Sequence, residues 1–160
     1  MRAIKTIVVP VDFSDYSNRA ADYAAMVSRQ FKAKVVLVHA IEQLTYDVSD
    51  TLWVVDHYQA LRQIADRLMG NLSKRLARQG VRAHTVMLRG TPALRIIEEA
   101  KKRRADLIIM GTHGRTGLEH LLLGSVAERV VRLSPCPVLT VRIAAPRRKG
   151  RRHSRPAPLI

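Results

Sequence analysis

The chain has 160 residues, 47% of them hydrophobic and 26% charged, the proportions of one ordinary globular domain rather than a disordered chain. Its formal charge of +15 favours anionic ligands without choosing among them. No apolar run nears the roughly 18 residues a membrane-crossing helix needs, the N-terminal stretch lacks the apolar region and cleavage site of a secretory signal, and a lone cysteine excludes a disulfide framework, so a cytoplasmic protein is expected.

The basic charge is unevenly placed. Six cations, Arg147, Arg148, Lys149, Arg151, Arg152 and Arg155, stand after residue 145, and no acid follows Glu128. Taking those six from +15 leaves the first 145 residues at +9. Residues 1–145 are expected to form one domain. Residues 146–160, rich in Arg, Lys, Pro and Gly, have no apolar period and are expected to be a disordered basic tail, open to an anionic partner.

In chain order, Ile4 to Val9 is an apolar run suited to a strand buried on both faces. Asp12-Phe13-Ser14-Asp15 carries helix-start chemistry, with Ser14 or Asp12 as candidate N-cap. Ala20, Tyr23, Ala24, Val27 and Phe31 follow at helical spacing. Val35 to Ala40 reads as a second strand, and residues 42–56, with the only tryptophan, Trp53, as a loop. A long helix follows, its apolar stripe drawn from Leu61, Ile64, Ala65, Leu68, Leu72 and Leu76 and its end set by Gly80.

Val81 to Leu88 alternates apolar and polar, the pattern of a strand near a sheet edge. Thr91-Pro92 starts a helix whose inward face is Ala93, Ile96, Ile97 and Ala100. Leu107 to Met110 is a short, wholly apolar fourth strand, and a glycine-bearing loop runs from Gly111 to Gly124. Ser125 opens a last helix with Val126, Val130 and Leu133 inward, and Pro137 to Arg142 is the fifth strand. Five strands alternating with four helices imply an α/β fold, a parallel sheet with helices on both faces.

Two features stand just past strands, where open α/β sheets bind ligands. Asp12 follows the first strand and can accept hydrogen bonds from ribose hydroxyls or simply cap the first helix. Gly111-Thr112-His113-Gly114-Arg115-Thr116-Gly117 follows the fourth. It is neither a Walker A loop nor a dinucleotide fingerprint. Gly111 and Gly114 let backbone pass close to a ligand, the helix start at Gly124-Ser125 attracts phosphate, and Arg115 adds charge-assisted bonds. Against this, Ser125-x-x-Glu128 has the form of a capping box, which alone explains the serine and would compete with phosphate for the same amides.

The segment Gly111 to Ser125 resembles the universal stress protein ATP motif, Gly-x-x-Gly, nine residues, Gly-Ser/Thr. Asp106-Leu107-Ile108-Ile109-Met110 before it, Ser134-Pro135-Cys136-Pro137-Val138-Leu139 after it, and Val9 to Ser14 are similar to the family as well. The resemblance covers roughly residues 1–143 and implies an open five-stranded sheet in the order 3-2-1-4-5. It implies an ATP site in which Pro10, Val11 and Ala40 meet the adenine, Asp12 the adenosine, and Met110 and Gly111 the ribose. Gly114 and Arg115 approach the phosphates, which Gly124, Ser125 and Val126 hold. A regulatory ATP-binding protein with at most slow hydrolysis is expected, with Mg²⁺ or Mn²⁺ bridging the phosphates. A homodimer through the fifth strand is expected too.

Two alternatives are weighed. An ATP-pyrophosphatase or nucleotidyl transferase would carry a Ser-Gly-Gly loop or a His-x-Gly-His motif near the first strand, and Val9 to Ser14 holds neither. A nucleic-acid-binding protein acting through its basic tail is motivated by the charge. His39 reads as a packed histidine, His113 as a weak phosphate contact, and His57, His84 and His120 give no metal pattern. Cys136 reads as a small buried hydrophobe at a strand start.

Overall fold

The computed structural model describes residues 3–42, 51–114 and 123–143, with backbone alone at 51–57. In order it contains β1 (Thr6–Pro10), α1 (Asp15–Phe31), β2 (Lys34–Ile41), α2 (Thr51–Arg78), β3 (Ala83–Arg89), α3 (Pro92–Lys102), β4 (Leu107–Gly111), α4 (Ser125–Leu133) and β5 (Val138–Val141). The strands form one sheet in the order β3-β2-β1-β4-β5. Every neighbouring pair is parallel.

The alternation along each strand decides which helices it packs against. Ile7, Val9, Val35, Leu37 and Ile109 join one core with α1 and α2. Val8, Val36, Val38, Ile108 and Met110 join a second with α3 and α4. Both faces of the central strands are thus covered, which is why β1 and β4 read as nearly unbroken apolar runs. Among the described residues no helix is long and apolar enough to cross a membrane.

Several local expectations change. Helix α2 already begins at Thr51, so Trp53 lies on a helix rather than in a loop; residues 43–50 are outside the described residues. The inward stripe of α2 is Ala65, Met69, Leu72 and Leu76, while Leu61, Ile64 and Leu68 are exposed. On α1 the buried face is built of small residues, Ser17, Ala20, Ala21, Ala24, Ala25 and Ser28, and Tyr23 and Phe31 are turned outward. Small side chains let the helix lie close to the sheet, and the wider side chains flank the contact. On α4, Ala127 and Val130 are buried, Val126 is half-buried and Leu133 is exposed. Cys136 is half-buried; burial pushes its thiol up from the ordinary 9.0, so it is neutral at physiological pH and acts by packing. The basic tail, 146–160, lies outside the described residues.

Candidate functional site

Strand order reverses between β1 and β4, because β1 runs on through α1 to β2 on one side while β4 pairs on the other. The loops after the two strands therefore diverge and leave a crevice at their carboxyl ends. A cavity of about 360 Å³ fills it, within the roughly 300–1,000 Å³ range of ligand sites. Pro10, Val11, Asp12, Ala40, Met110 and Gly111 line it, together with Gly114, Gly124, Ser125 and Val126. These are ten of the eleven residues picked from the sequence; the eleventh, Arg115, lies outside the described residues.

The β1 side of the cavity is held by a short polar relay. The Ser14 N–H and hydroxyl donate to Asp12 Oδ1 at 3.1 and 2.6 Å. Ser14 is in turn the N-cap of α1, its Oγ accepting from the Ser17 N–H at 3.2 Å. Asp12 thus fixes the turn but is not the cap itself. Between them Phe13 is held at φ 67°, a backbone state that costs a non-glycine residue about 1–3 kcal/mol. Its ring packs on His39 with centroids 4.5 Å apart. His39 Nδ1 lies 2.6 Å from the Val11 carbonyl, an oxygen that only accepts, so this nitrogen carries the proton. Val11 N–H meanwhile donates to the Val38 carbonyl at 2.8 Å. The ends of β1 and β2 are locked together, with Ala40 at the cavity wall.

On the β4 side the glycines separate into two kinds. A Cβ on Gly111 would stand 2.8 Å from Tyr16 Cβ and 2.9 Å from the Tyr16 carbonyl carbon. That glycine is demanded by the first turn of α1, a packing reason that stands beside the ligand reason read from the sequence. A Cβ on Gly114 would stand 2.7 Å from Asp12 Oδ2, so the second carboxylate oxygen lies directly against the Gly114 backbone. Gly124 N–H donates to the Thr112 carbonyl at 2.8 Å, which folds the loop back under the start of α4.

The capping box is not formed. Gly124 is the N-cap of α4 and Ser125 the first helical residue, and among the described residues no side chain caps the opening amides. Glu128 points away, its carboxylate 3.8 Å from Arg132 and mostly exposed. The first intrahelical donor is the Glu128 N–H, at 2.8 Å from the Gly124 carbonyl. The amides of Ser125, Val126 and Ala127 therefore start the helix without an intrahelical acceptor, at its positive end, on the cavity wall. The expected competition between Glu128 and a phosphate for these amides does not arise, because the serine's position relative to the cap is set by a single residue of register.

Sequence reasoning passed over several cavity residues: Ser17, Glu42, Pro92, Ile96 and Thr112. Ser17 was legible as a polar residue in a helix's first turn, and its hydroxyl donates to the Ser14 carbonyl at 3.0 Å. Pro92 and Ile96 gave only the signal of a helix start and its buried face.

The universal stress protein family model matches residues 3–142. Universal stress protein MJ0531 of Methanocaldococcus jannaschii is 40% identical over 140 residues, 86% of this chain and 82% of the relative. The solved structure of MJ0577 is 30% identical with a TM-score of 0.81, covering 89% of this chain and 99% of the other. A universal stress protein solved in complex with cAMP is 28% identical with a TM-score of 0.62, over 88% and 98% of the two chains. With the family's model spanning all five strands and its solved members sharing the sheet, this chain belongs to the universal stress protein family.

Proposed function

We propose that this chain is a cytoplasmic regulatory protein that binds ATP in the cavity between β1 and β4. One observation carries the reading: a ligand-sized cavity at the strand-order reversal whose wall includes the uncapped amino end of α4. In this reading the purine lies against Pro10, Val11 and Ala40, and Asp12 Oδ2 accepts from the ribose. The phosphates lie over the Gly114 backbone and take the amides of Ser125 and Val126, where backbone donors and the helix end favour negative charge. The described lining holds two carboxylates, Asp12 and Glu42, and no Lys or Arg. Phosphate charge would then be met by amides, by Arg115 and by a Mg²⁺ or Mn²⁺ ion on the phosphates, so affinity should depend on the metal. The relative that holds cAMP supports an adenine nucleotide in such a fold. In this reading hydrolysis is slow and binding is the signal.

Isothermal titration with ATP and with adenosine tests it. Asp12→Ala should weaken both ligands by a similar factor, because its partner is on the nucleoside, and Arg115→Ala should weaken ATP more than adenosine. No heat from ATP with or without Mg²⁺ on folded wild-type protein would refute the reading.

The same proposal includes a two-fold dimer through β5. Leu139 on this edge strand is 40% exposed, and Val131 and Leu133 of α4 and Ile143 are exposed beside it. An apolar open edge is suited to antiparallel pairing with its own copy. Sedimentation at micromolar concentration should give a dimer, and Leu139→Lys should shift it to monomer.

A further inference from the structure

The opposite end of the sheet, where the strands begin, has a different character. Lys5 directly precedes β1, Lys34 opens β2 and Arg82 directly precedes β3. The pairing Val35↔Ala83 makes Lys34 and Arg82 register neighbours, about 5 Å apart along the sheet's hydrogen-bonding direction. Lys34 N–H bonds the Lys5 carbonyl at 2.8 Å; Thr6 is the register partner of Lys34, so Lys5 stands one residue earlier, its side chain on the other face of the sheet. Helices α1, α2 and α3 end at this level and add Arg29, Lys32 and Arg78, then Lys101 to Arg104.

Among the described residues, ten lysines and arginines thus stand near four carboxylates: Glu99 and Asp106, both engaged inward, Glu98, paired with Arg95, and Asp22, paired with Arg75 and bonded by Gln79. Glu99 is buried and held by Arg103 Nε at 2.7 Å. Asp106 accepts the backbone N–H groups of Lys5 and Thr6 at 2.9 and 3.1 Å. Basic residues commonly complement helix C-termini, but each end supplies only about half a negative charge. Three helix ends do not account for this excess, and Lys5, Lys34 and Arg82 stand at strand starts.

Two further observations give the surface a shape and a chemistry. Arg29, Lys32 and Arg82 wall an open cavity of about 380 Å³ between the ends of α1 and α2, with no carboxylate in its described lining. Phe31, the last residue of α1, is 51% exposed beside Lys32. The rest of the residue is buried, and an open aromatic face beside a cation suits a base whose own open face can stack. A duplex hides those faces, and an inorganic polyanion has none.

We propose that this end of the sheet, centred on Phe31, Lys32, Lys34 and Arg82, binds single-stranded nucleic acid through its phosphates and a stacked base. The surface is separate from the nucleotide cavity and from the basic tail, and it stands whether or not ATP is the ligand at the other end.

The test uses the full-length chain with Arg147, Arg148, Arg151, Arg152 and Arg155 changed to Gln and Lys149→Gln, so that the tail cannot supply the binding. Fluorescence anisotropy is read with labelled 12-nucleotide oligouridylate and oligothymidylate, with a duplex of equal length, and with inorganic polyphosphate as competitor. The tail-neutral protein should still bind single strands. In that background Lys32→Glu with Arg82→Glu should weaken binding at least tenfold. The same pair should flatten the salt dependence by about 0.7 in log–log slope for each phosphate no longer neutralised. Phe31→Ala should weaken single strands on the order of tenfold and leave duplex and polyphosphate unchanged. Circular dichroism checks folding, and Lys32→Gln with Arg82→Gln is the milder pair if the reversal unfolds the protein. Loss of binding on neutralising the tail would overturn the proposal. So would equal single-strand affinity with and without the Phe31 ring.

Discussion

The two ends of this sheet are built from the same strands and carry opposite chemistry. At the exit end, β1 and β4 part, the loops are glycine-bearing, and the charged groups at the cavity are Asp12 and Glu42. At the entry end the strands begin under three helix C-termini, and lysines and arginines dominate. The five residues of β1 separate them by roughly 16 Å, about two Debye lengths at physiological salt. The difference teaches that formal net charge is a poor guide to a binding site here. Among the described residues the ligand-sized cavity is at the less basic end, and in the proposed reading its described phosphate contacts are backbone donors and a helix terminus, with Arg115 the side-chain cation of the loop.

The comparison breaks most sharply at Gly114. A valine there puts its Cβ 2.7 Å from Asp12 Oδ2, so the carboxylate must swing out of the ribose position, and losing one charged hydrogen bond corresponds to a roughly ten- to hundredfold loss of ATP affinity. Calorimetry on folded Gly114→Val reads it, and unchanged affinity would sink the site assignment. Gly111→Ala should behave in the opposite way. Its Cβ meets the backbone of Tyr16, so about 1–3 kcal/mol should be lost from urea unfolding whether or not ligand is present. A folding-neutral Gly111→Ala would show that α1 can retreat.

Smaller is Ser125→Ala. The hydroxyl caps nothing, so stability should be unchanged while ATP affinity falls by about 1 kcal/mol for one lost hydrogen bond. A drop in melting temperature would restore the capping box. The smallest effect sharpens the separation of the two ends: Lys32→Glu with Arg82→Glu should leave ATP affinity within about twofold, since screening removes most of the field over that distance. A larger change would mean that the ends are coupled.

Much of this was legible in local pattern. The continuous runs of β1 and β4 and the Pro92 helix start come from which side chains each face can bury, and the chain carries that information residue by residue; the burial along β3 does not alternate, because its two faces each touch a core. The glycine spacing after β4 singled out the cavity's floor because close backbone approach leaves few residue choices. Three other things were decided only by packing between distant segments. The exposure of Tyr23 and Phe31 depends on α1 lying on the sheet through alanines and serines, a choice between two plausible faces. Gly111 owes its missing side chain to Tyr16, a residue 95 positions away. The cap of α4 falls on Gly124 because that residue's N–H returns to Thr112, a loop closure that no helical periodicity encodes. Periodicity tells a segment which of its own faces is apolar. Which neighbour comes close enough to exclude a Cβ, or to leave an amide open, is set only when the segments meet.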